Sequence, residues 1–249
     1  METIVKQTRE VGTSAGVLLP RSWLNKQVVV TLFKPSKEKI AQDVLSCIFD
    51  SELNEEVKGI YLYGSYARED FDFNSDIDIL VITNNTNKMI NYNNYEILFI
   101  SEESFERNLS KNLNSLSILS EAKVILNKEL LDKYRAKKYK PNINKMLEDI
   151  ERVLRINKES VSMCEEERIG LPDGIIYSLV LRLRELYLIK CLLSGKQYQK
   201  KDFMKFVGED IYSAYLRVKR DEKVKDNILP EKLINLINLS EKWVKELKE

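Results

Sequence analysis

The spacing of apolar residues changes along the chain, and this change limits the possible folds most. In the first half, apolar residues cluster in short runs at 59–63, 76–83 and 95–101, which is typical of buried strands. From residue 143 they recur every three or four positions, as Leu147, Ile150 and Leu154 do, which is typical of an amphipathic helix. The pattern predicts an α+β fold: a small mixed sheet followed by a helical bundle.

Three domains follow from this pattern: a β-hairpin module over 1–34, a mixed-sheet domain over 35–128 and a helical bundle over 129–249. In the module we predict strands over 4–9 and 27–33. A helix begins near Ser36, and the asparagine-rich stretch 84–94 is predicted to be a loop. In the bundle, helices are predicted from 143, over 175–193, 199–207 and 209–221, and from Pro230.

The composition excludes several kinds of chemistry. The chain has 249 residues and no histidine, which excludes Ser-His-Asp catalysis and His-ligated zinc. Its 40 basic and 39 acidic residues give a net charge of +1, so no overall field attracts nucleic acid or membranes. Three distant cysteines indicate no disulfide framework, and no apolar run reaches the roughly 20 residues of a membrane helix. We therefore expect a cytoplasmic protein without a membrane partner.

The strongest motif is Gly64-Ser65, then ten residues, then Asp76-Ile77-Asp78. Two aspartates at i and i+2 on a strand project from one face, where they repel each other unless a divalent cation binds between them. The Gly-Ser turn ends the preceding strand and lets phosphate approach the backbone. Carboxylates with Mg²⁺ opposite a phosphate-binding turn are what nucleotidyl transfer requires. The alternative is two exposed aspartates that follow a turn.

This motif, set in "YLYGSYARED" and "NSDIDILVI", resembles the signature of the polymerase-beta-type nucleotidyltransferase superfamily, especially minimal and kanamycin-type enzymes. The resemblance spans about residues 36–128. It implies a nucleotidyltransferase domain with catalytic and metal-binding carboxylates at Asp76 and Asp78, Mg²⁺ or Mn²⁺ as cofactor and an NTP, with ATP the commonest choice, as substrate. It also implies nucleotide binding by Gly64 and Ser65.

Two further candidate site residues each have an alternative, purely structural role. Glu96 stands where the family has a third carboxylate, usually an aspartate, and would bind metal and orient the acceptor; the alternative is a polar residue at a strand entrance. Arg68 is the natural phosphate partner, since a guanidinium binds phosphate oxygens in pairs; the alternative is a surface ion pair with Glu69 or Asp70. Arg182 and Arg184, on the second bundle helix, are candidates to face the same cleft.

The flanking segments carry resemblances of their own. The stretch "REVGTSAGVLLPRSWLNKQVVVTLF" resembles the swapped-hairpin modules of the AbrB/SpoVT type, and the bundle is similar to HEPN-like domains. Because a segment this small cannot bury a core alone, 1–34 must dock or dimerise. We therefore expect a homodimer formed through 1–34, while the alternative is a simple hairpin packed on the next domain.

Two functions remain at this point. The first is a metal-dependent transferase that moves an NMP from an NTP to an acceptor, which is a small molecule, an RNA or a protein. The second is a regulatory, antitoxin-like or DNA-associated protein that binds through its hairpin and has weak or protein-directed transferase activity.

Overall fold

A five-stranded mixed sheet organises the first half of the molecule. The computed structural model describes residues 4, 6, 8–30, 34–72, 75–219, 222 and 230–249. The sheet has the order β5-β6-β4-β3-β7, and β4 and β6 run parallel while the other pairs run antiparallel. Its strands are β3 (Val57–Tyr63), β4 (Ile77–Thr83), β5 (Lys88–Tyr92), β6 (Tyr95–Ser101) and β7 (Lys123–Leu126). This sheet and the helices described below confirm the predicted α+β fold class.

Helices cover both faces of the sheet. Ser36 accepts a hydrogen bond from the Lys39 amide and caps α1, as predicted; α1 packs Ile40 and Val44 onto one face. The other face carries Leu80 and is covered by α3, α4 and α5. The five helices of this half are α1 (Lys37–Asp50), α2 (Gly64–Arg68), α3 (Glu102–Leu109), α4 (Leu113–Glu121) and α5 (Lys128–Arg135).

The second half is a helical bundle built around α7. This helix is apolar on most sides, and Leu179, Leu183 and Leu186 are fully buried in the bundle core. Gly195, with a φ of +67°, follows its C-terminus, where the sequence predicted the helix to end. The bundle consists of α6 (Ile143–Glu166), α7 (Asp173–Leu193), α8 (Lys200–Val207), α9 (Glu209–Lys219) and α10 (Pro230–Lys248). Positions 220–221 of the predicted fourth helix lie outside the described residues.

Some of the secondary-structure predictions are wrong in part. The predicted loop 84–94 contains β5, because the turn at Asn93, with a φ of +55°, returns the chain onto β6. Tertiary pairing thus forms a strand that the polar sequence does not indicate. The strand predicted over 27–33 is not formed at residues 27–30, which lack a partner strand among the described residues; 31–33 lie outside them.

The N-terminal segment forms a short hairpin. Strands β1 (Arg9–Val11) and β2 (Ser14–Gly16) pair around a turn at Gly12, and a 3₁₀ turn follows at Arg21–Trp23. Of the strand predicted over 4–9, only Arg9 belongs to a strand; positions 4, 6 and 8 do not, and 5 and 7 lie outside the described residues.

The packing also bears on the domain boundary. Leu131 and Tyr134 of α5 are buried in the sheet's core, so α5 packs with the sheet although the predicted bundle begins at 129. Cys47, Cys164 and Cys191 are all buried and unpaired. In the described part of the chain, no helix combines the length and the apolarity needed to cross a membrane.

Candidate active site

A cleft of about 640 Å³ lies between the sheet and the helical bundle. The N-terminal ends of β4 and β6 and the C-terminal end of β3 contribute one side, and α7, α9 and the chain before α8 contribute the other. All six sequence-predicted site residues of the sheet half line this cleft. The lining also includes Tyr63, Glu121, Arg184, Tyr198, Lys200, Tyr212, Tyr215 and Lys219.

Asp76, Asp78 and Glu96 form what we call the acidic wall. Asp76 immediately precedes β4, and Asp78 is the second residue of that strand. Because β4 and β6 are parallel, Asp78 and Glu96 are register partners and project from the same face of the sheet. The strand that begins at Tyr95 therefore lies directly beside the strand that carries Asp78.

The electrostatics of the acidic wall reflect this crowding. Burial and the neighbouring Glu96 carboxylate raise the pKa of Asp78 to about 7. Tyr63, the register partner of Asp78 on β3, has its phenol pKa raised by burial and by the charges of Asp78 and Glu96. The Asp78 carboxylate therefore lies where an additional positive charge would be favourable.

The donor set of the acidic wall fits a hard divalent cation, because carboxylate oxygens are the ligands that Mg²⁺ prefers. Asp78 and Glu96 are neighbours on adjacent strands, and Asp76 opens into the same cleft. Within the described ranges, no three acidic, histidine or cysteine side chains are grouped closely enough to enclose an ion. The carboxylates thus supply suitable ligands without a preformed cage.

Gly64 begins the turn beside the acidic wall and admits no side chain. Its φ is +70°, and a Cβ atom there would lie 1.9 Å from Oδ2 of Asp78. The Gly64 amide donates a hydrogen bond of 2.9 Å to Oε1 of Glu121 at the end of α4. Ser65 follows with a half-buried side chain that lines the cleft. Gly64 therefore permits the close packing of the turn against Asp78.

Arg68 lies in a buried network of charges. Its guanidinium donates to Oε2 of Glu121 at 2.7 Å and to Oδ2 of Asp70 at 3.2 Å. The side chains of Arg68, Asp70 and Glu121 are 9%, 8% and 6% exposed. The Asp70 pair is the alternative partner considered from the sequence, although it is buried rather than on the surface. Glu69 points away to Lys34 and Lys123. A phosphate-binding role for Arg68 stays a prediction.

Arg184 and Lys219 form what we call the basic wall, on α7 and α9. The Arg184 side chain is exposed to the cleft; burial opposes its charge, but Tyr198, Tyr215 and Tyr212 around it raise the pKa of Arg184. Its guanidinium lies 5.4 Å from the ring centre of Tyr198. The charge of Lys219 is close enough to Asp78 to lower that carboxyl's pKa. The two cations thus face the acidic wall across the cleft.

Sequence reasoning missed several cleft residues. Lys219 and the three tyrosines carry no local pattern that separates them from the core-facing residues of α9 and its neighbours. Glu121 has one weak signal: it is an acidic residue at the end of the apolar helix "LNSLSILSE". Its partners lie more than fifty positions earlier in the chain, so only the fold reveals its role.

A comparison with known protein families covers the sheet side of this cleft. Residues 47–136 match the family described as polymerase beta, nucleotidyltransferase. These residues form a nucleotidyltransferase domain. The match includes all three carboxylates and the Gly64–Ser65 turn, and it confirms the predicted enzyme class. It does not extend over the flanking segments, so their AbrB-like and HEPN-like character stays a prediction. No curated protein matches the chain.

Two solved structures show weak similarity to most of the chain. A nucleotidyltransferase-like protein from Exiguobacterium sibiricum 255-15 is 16% identical, with a TM-score of 0.36, over 83% of this chain and 75% of the other. A spectinomycin adenyltransferase from Enterococcus faecialis, solved with ATP and spectinomycin, is 15% identical, with a TM-score of 0.39, over 83% of this chain and 98% of the other.

Proposed function

We propose that this nucleotidyltransferase moves a nucleoside monophosphate from an NTP, ATP in the first instance, to a hydroxyl- or amine-bearing acceptor in a Mg²⁺-dependent reaction. The observation that carries the proposal is the pairing of two walls across one cleft: three carboxylates on adjacent strands face Arg184 and Lys219 on the bundle. A triphosphate fits between them because its oxygens pair with cations on one side and share metal ions with carboxylates on the other.

The residues take distinct roles in this proposal. Asp76 and Asp78 would hold the metal that accompanies the triphosphate, and Glu96 would complete a second metal position. Mg²⁺ there supplies Lewis-acid stabilisation of the charge that develops on the transferred phosphoryl group. Ser65 and the basic wall would bind the outer phosphates, and Tyr198 and Tyr212 offer ring faces beside them. Gly64 keeps the turn close enough to Asp78 for this arrangement.

The transfer itself balances without any further reactant. The acceptor oxygen or nitrogen forms a bond to the α-phosphorus, and the bond from that phosphorus to the bridging oxygen breaks, releasing pyrophosphate. In this proposal Glu96 receives the acceptor's proton, and its position beside Asp78 in the same cleft supports that role. The residue thus orients the nucleophile and holds its proton.

Thermal unfolding with ATP and Mg²⁺ tests the proposal. A ligand that binds the folded state alone stabilises it by about 2.7 kcal/mol at 100 times its Kd, so Tm should rise by several degrees. The variant Asp76→Asn, Asp78→Asn should lose this rise while its Tm without ligand stays unchanged or increases. Asp50→Asn, on the exposed end of α1, is the matched control. Labelled ATP with cell extract then reports transfer, and a double variant that retains it would contradict the assignment.

We also propose that the chain forms a homodimer through residues 1–34, in the cytoplasm. The support is the exposure of large apolar side chains in this segment, including Leu24, Val29 and Val30, at 71%, 91% and 72%. Such a concentration of exposed apolar surface favours burial against a second surface. The three buried, unpaired cysteines are consistent with a reducing compartment.

A further inference from the structure

The Glu121 side chain connects the end of α4 to the turn that begins at Gly64. One carboxylate oxygen accepts from the Gly64 amide at 2.9 Å, and the other accepts from the Arg68 guanidinium at 2.7 Å. The Glu121 side chain is only 6% exposed, and Gly64 and Arg68 are the first and last residues of α2. A single side chain of α4 therefore holds both ends of the short helix that begins beside the acidic wall.

The network continues from Arg68 into the helical bundle. Asp70 Oδ2 accepts from Arg68 Nε and also from the backbone amide of Lys200, the first residue of α8, each at 3.2 Å. The Arg68 guanidinium lies 5.2 Å from the ring centre of Tyr198, which also lies beneath Arg184. A continuous chain of contacts thus connects Glu121, through Arg68 and Asp70, to the bundle side of the cleft.

A second contact also joins the segment after the turn to α8. Lys200 Nζ pairs with Asp72 at 2.9 Å, so the segment after the turn touches α8 at both its backbone and its side chain. The Asp72 side chain is 42% exposed, whereas those of Arg68, Asp70 and Glu121 are below 10% exposed. Buried charges of this kind tolerate little displacement, because each needs its partner to offset the loss of hydration. The buried network of Glu121, Arg68 and Asp70 is therefore a stiff connection between the sheet half and the helical half of the molecule.

We propose that Glu121 and Arg68 are positioning residues that couple the Gly64–Ser65 turn to the helical bundle and so set the spacing of the two walls. The inference deepens the proposed function and rests on it, since the spacing matters because one nucleotide contacts both walls. A displacement of about 1 Å between reacting groups lowers turnover about 100-fold, so turnover depends on this coupling. Neither residue needs to touch the nucleotide for this role.

Amide hydrogen exchange, measured by NMR on the full chain without nucleotide, tests the coupling directly. The reporter is the Lys200 amide, which donates to Asp70. In Arg68→Gln and in Glu121→Gln we expect its exchange to accelerate about tenfold or more, while the Phe203 amide in the same helix changes less than about twofold. Glu69→Gln is the matched control, because Glu69 is the adjacent acidic residue and lies outside the network.

Equal exchange at Lys200 in the two variants and in Glu69→Gln would overturn the proposal. Acceleration at Phe203 by the same factor would also overturn it, because it would mean general loosening of α8. If neither variant folds, Asp70→Asn tests the network from the end that contacts the bundle. The side-chain oxygen of the asparagine can still accept from the Lys200 amide, so only the negative charge beside Arg68 is removed. In that variant faster exchange at the Gly64 amide is expected, and an unchanged Gly64 rate contradicts the coupling.

Activity measurements distinguish a failure of this inference from a failure of the proposed function. If the unaltered chain transfers nucleotide, Glu121→Gln should lower kcat about tenfold and change the Kd for ATP less than about twofold. A purely structural role would lower Tm and leave kcat per folded molecule unchanged. An unaltered chain that neither binds nor transfers NTP would refute the proposed function, while the exchange rates would still decide whether the halves are coupled.

Discussion

The Asp78 side chain has three neighbours that restrict its surroundings. It contacts Gly64 so closely that no other residue fits there, it is the register partner of Glu96, and it faces Lys219 across the cleft. A buried carboxylate beside a second one is unfavourable in the absence of a cation, because burial and repulsion both oppose its charge. The position is thus better suited to binding a cation than to stabilising the fold.

Glu96→Gln should lower turnover more than it lowers affinity for ATP. Asp76 and Asp78 still bind the metal that accompanies the triphosphate, whereas the proton of the acceptor loses its receiving group. We expect kcat to fall on the order of 100-fold and the Kd for ATP to change by less than about threefold. Separate measurement of single-turnover rates and of binding by calorimetry distinguishes the two effects.

Two outcomes would contradict this role. Unchanged turnover would make Glu96 a bystander, and equal losses in turnover and affinity would make it a general support of the site. Glu103→Gln, an 87% exposed side chain on α3, controls for the loss of one negative charge.

Arg184→Gln should weaken ATP binding and leave the fold intact. A charged hydrogen bond to phosphate contributes about 1.5–3 kcal/mol, so Kd should rise roughly 10- to 100-fold. The side chain is exposed and makes no ion pair in the described part of the chain, so little stability depends on it. Calorimetric titration with ATP and Mg²⁺ measures the change, and Arg152→Gln on α6 is the control. Equal affinities in the two variants would remove Arg184 from the site.

At the scale of elements, the parallel pairing of β4 with β6 creates the acidic wall. Parallel strands begin at the same edge of a sheet, so carboxylates near the start of each strand lie side by side. The antiparallel neighbour β3 ends at that edge with Tyr63 and the Gly64 turn. Three strands therefore deliver their site residues to one edge.

A second set of contacts fixes α3 and α5 on the face that carries this wall. Glu102, the first residue of α3, accepts from Lys58 of β3 at 2.6 Å and from Lys133 of α5 at 3.0 Å. Hydrogen bonds from Lys58 and Lys133 lower the pKa of Glu102 to about 2. One carboxylate thus connects a strand with two helices.

Glu102→Gln should therefore destabilise the protein in a pH-dependent way. Since the folded pKa is lower than the ordinary value of 4.5, the stabilisation is complete above pH 4.5 and is lost as the pH falls through 2. We expect a loss of about 1 kcal/mol at pH 7, because both lysines are partly exposed. Urea unfolding at pH 7 and pH 3 measures the difference.

The comparison with a matched variant makes this prediction specific. Glu103→Gln changes the same charge on the same helix but removes only an exposed pair with Arg107. A Glu102→Gln effect that is no larger than this control, or that grows as the pH falls, would contradict the assignment.

For the whole molecule, the cleft between the two halves and the apolar N-terminal surface are separate features. The cleft joins the sheet to the bundle, whereas residues 8–30 expose Val11, Leu18, Leu24, Val29 and Val30. Exposed apolar area of this extent is typical of an interaction surface. We therefore expect the oligomeric state to depend on the N-terminal segment and the chemistry to depend on the cleft.

Val29→Lys with Val30→Lys should convert the dimer to a monomer. Charged side chains at the centre of an apolar interface cannot be buried without a partner, so association is lost. Light scattering on the full chain should give half the mass of the unaltered protein. Leu193→Lys, which alters a 60% exposed leucine at the end of α7, is the control. An unaltered chain that is already monomeric would favour the packed-hairpin alternative.

The candidate site was largely predictable from the sequence because its signals are local. Gly64, Ser65, Asp76 and Asp78 lie within fifteen positions, and strand periodicity alone puts both aspartates on one face. Glu96 was predicted from the family resemblance, which implies a third carboxylate on a neighbouring strand. The helices of the bundle were predicted for the same reason, since each carries its own apolar repeat.

The tertiary structure decided which distant groups meet. Strand β5 exists because β6 pairs with it, although its polar sequence predicts a loop. Arg68 is bound by Glu121, fifty-three positions later, and Asp70 contacts Lys200, one hundred and thirty positions later. Local propensity carries no information about such pairs, because their energy arises only when the fold brings the two groups together. The sequence by itself thus determined the three carboxylates and the Gly-Ser turn, while folding decided the basic wall and the network that holds the turn.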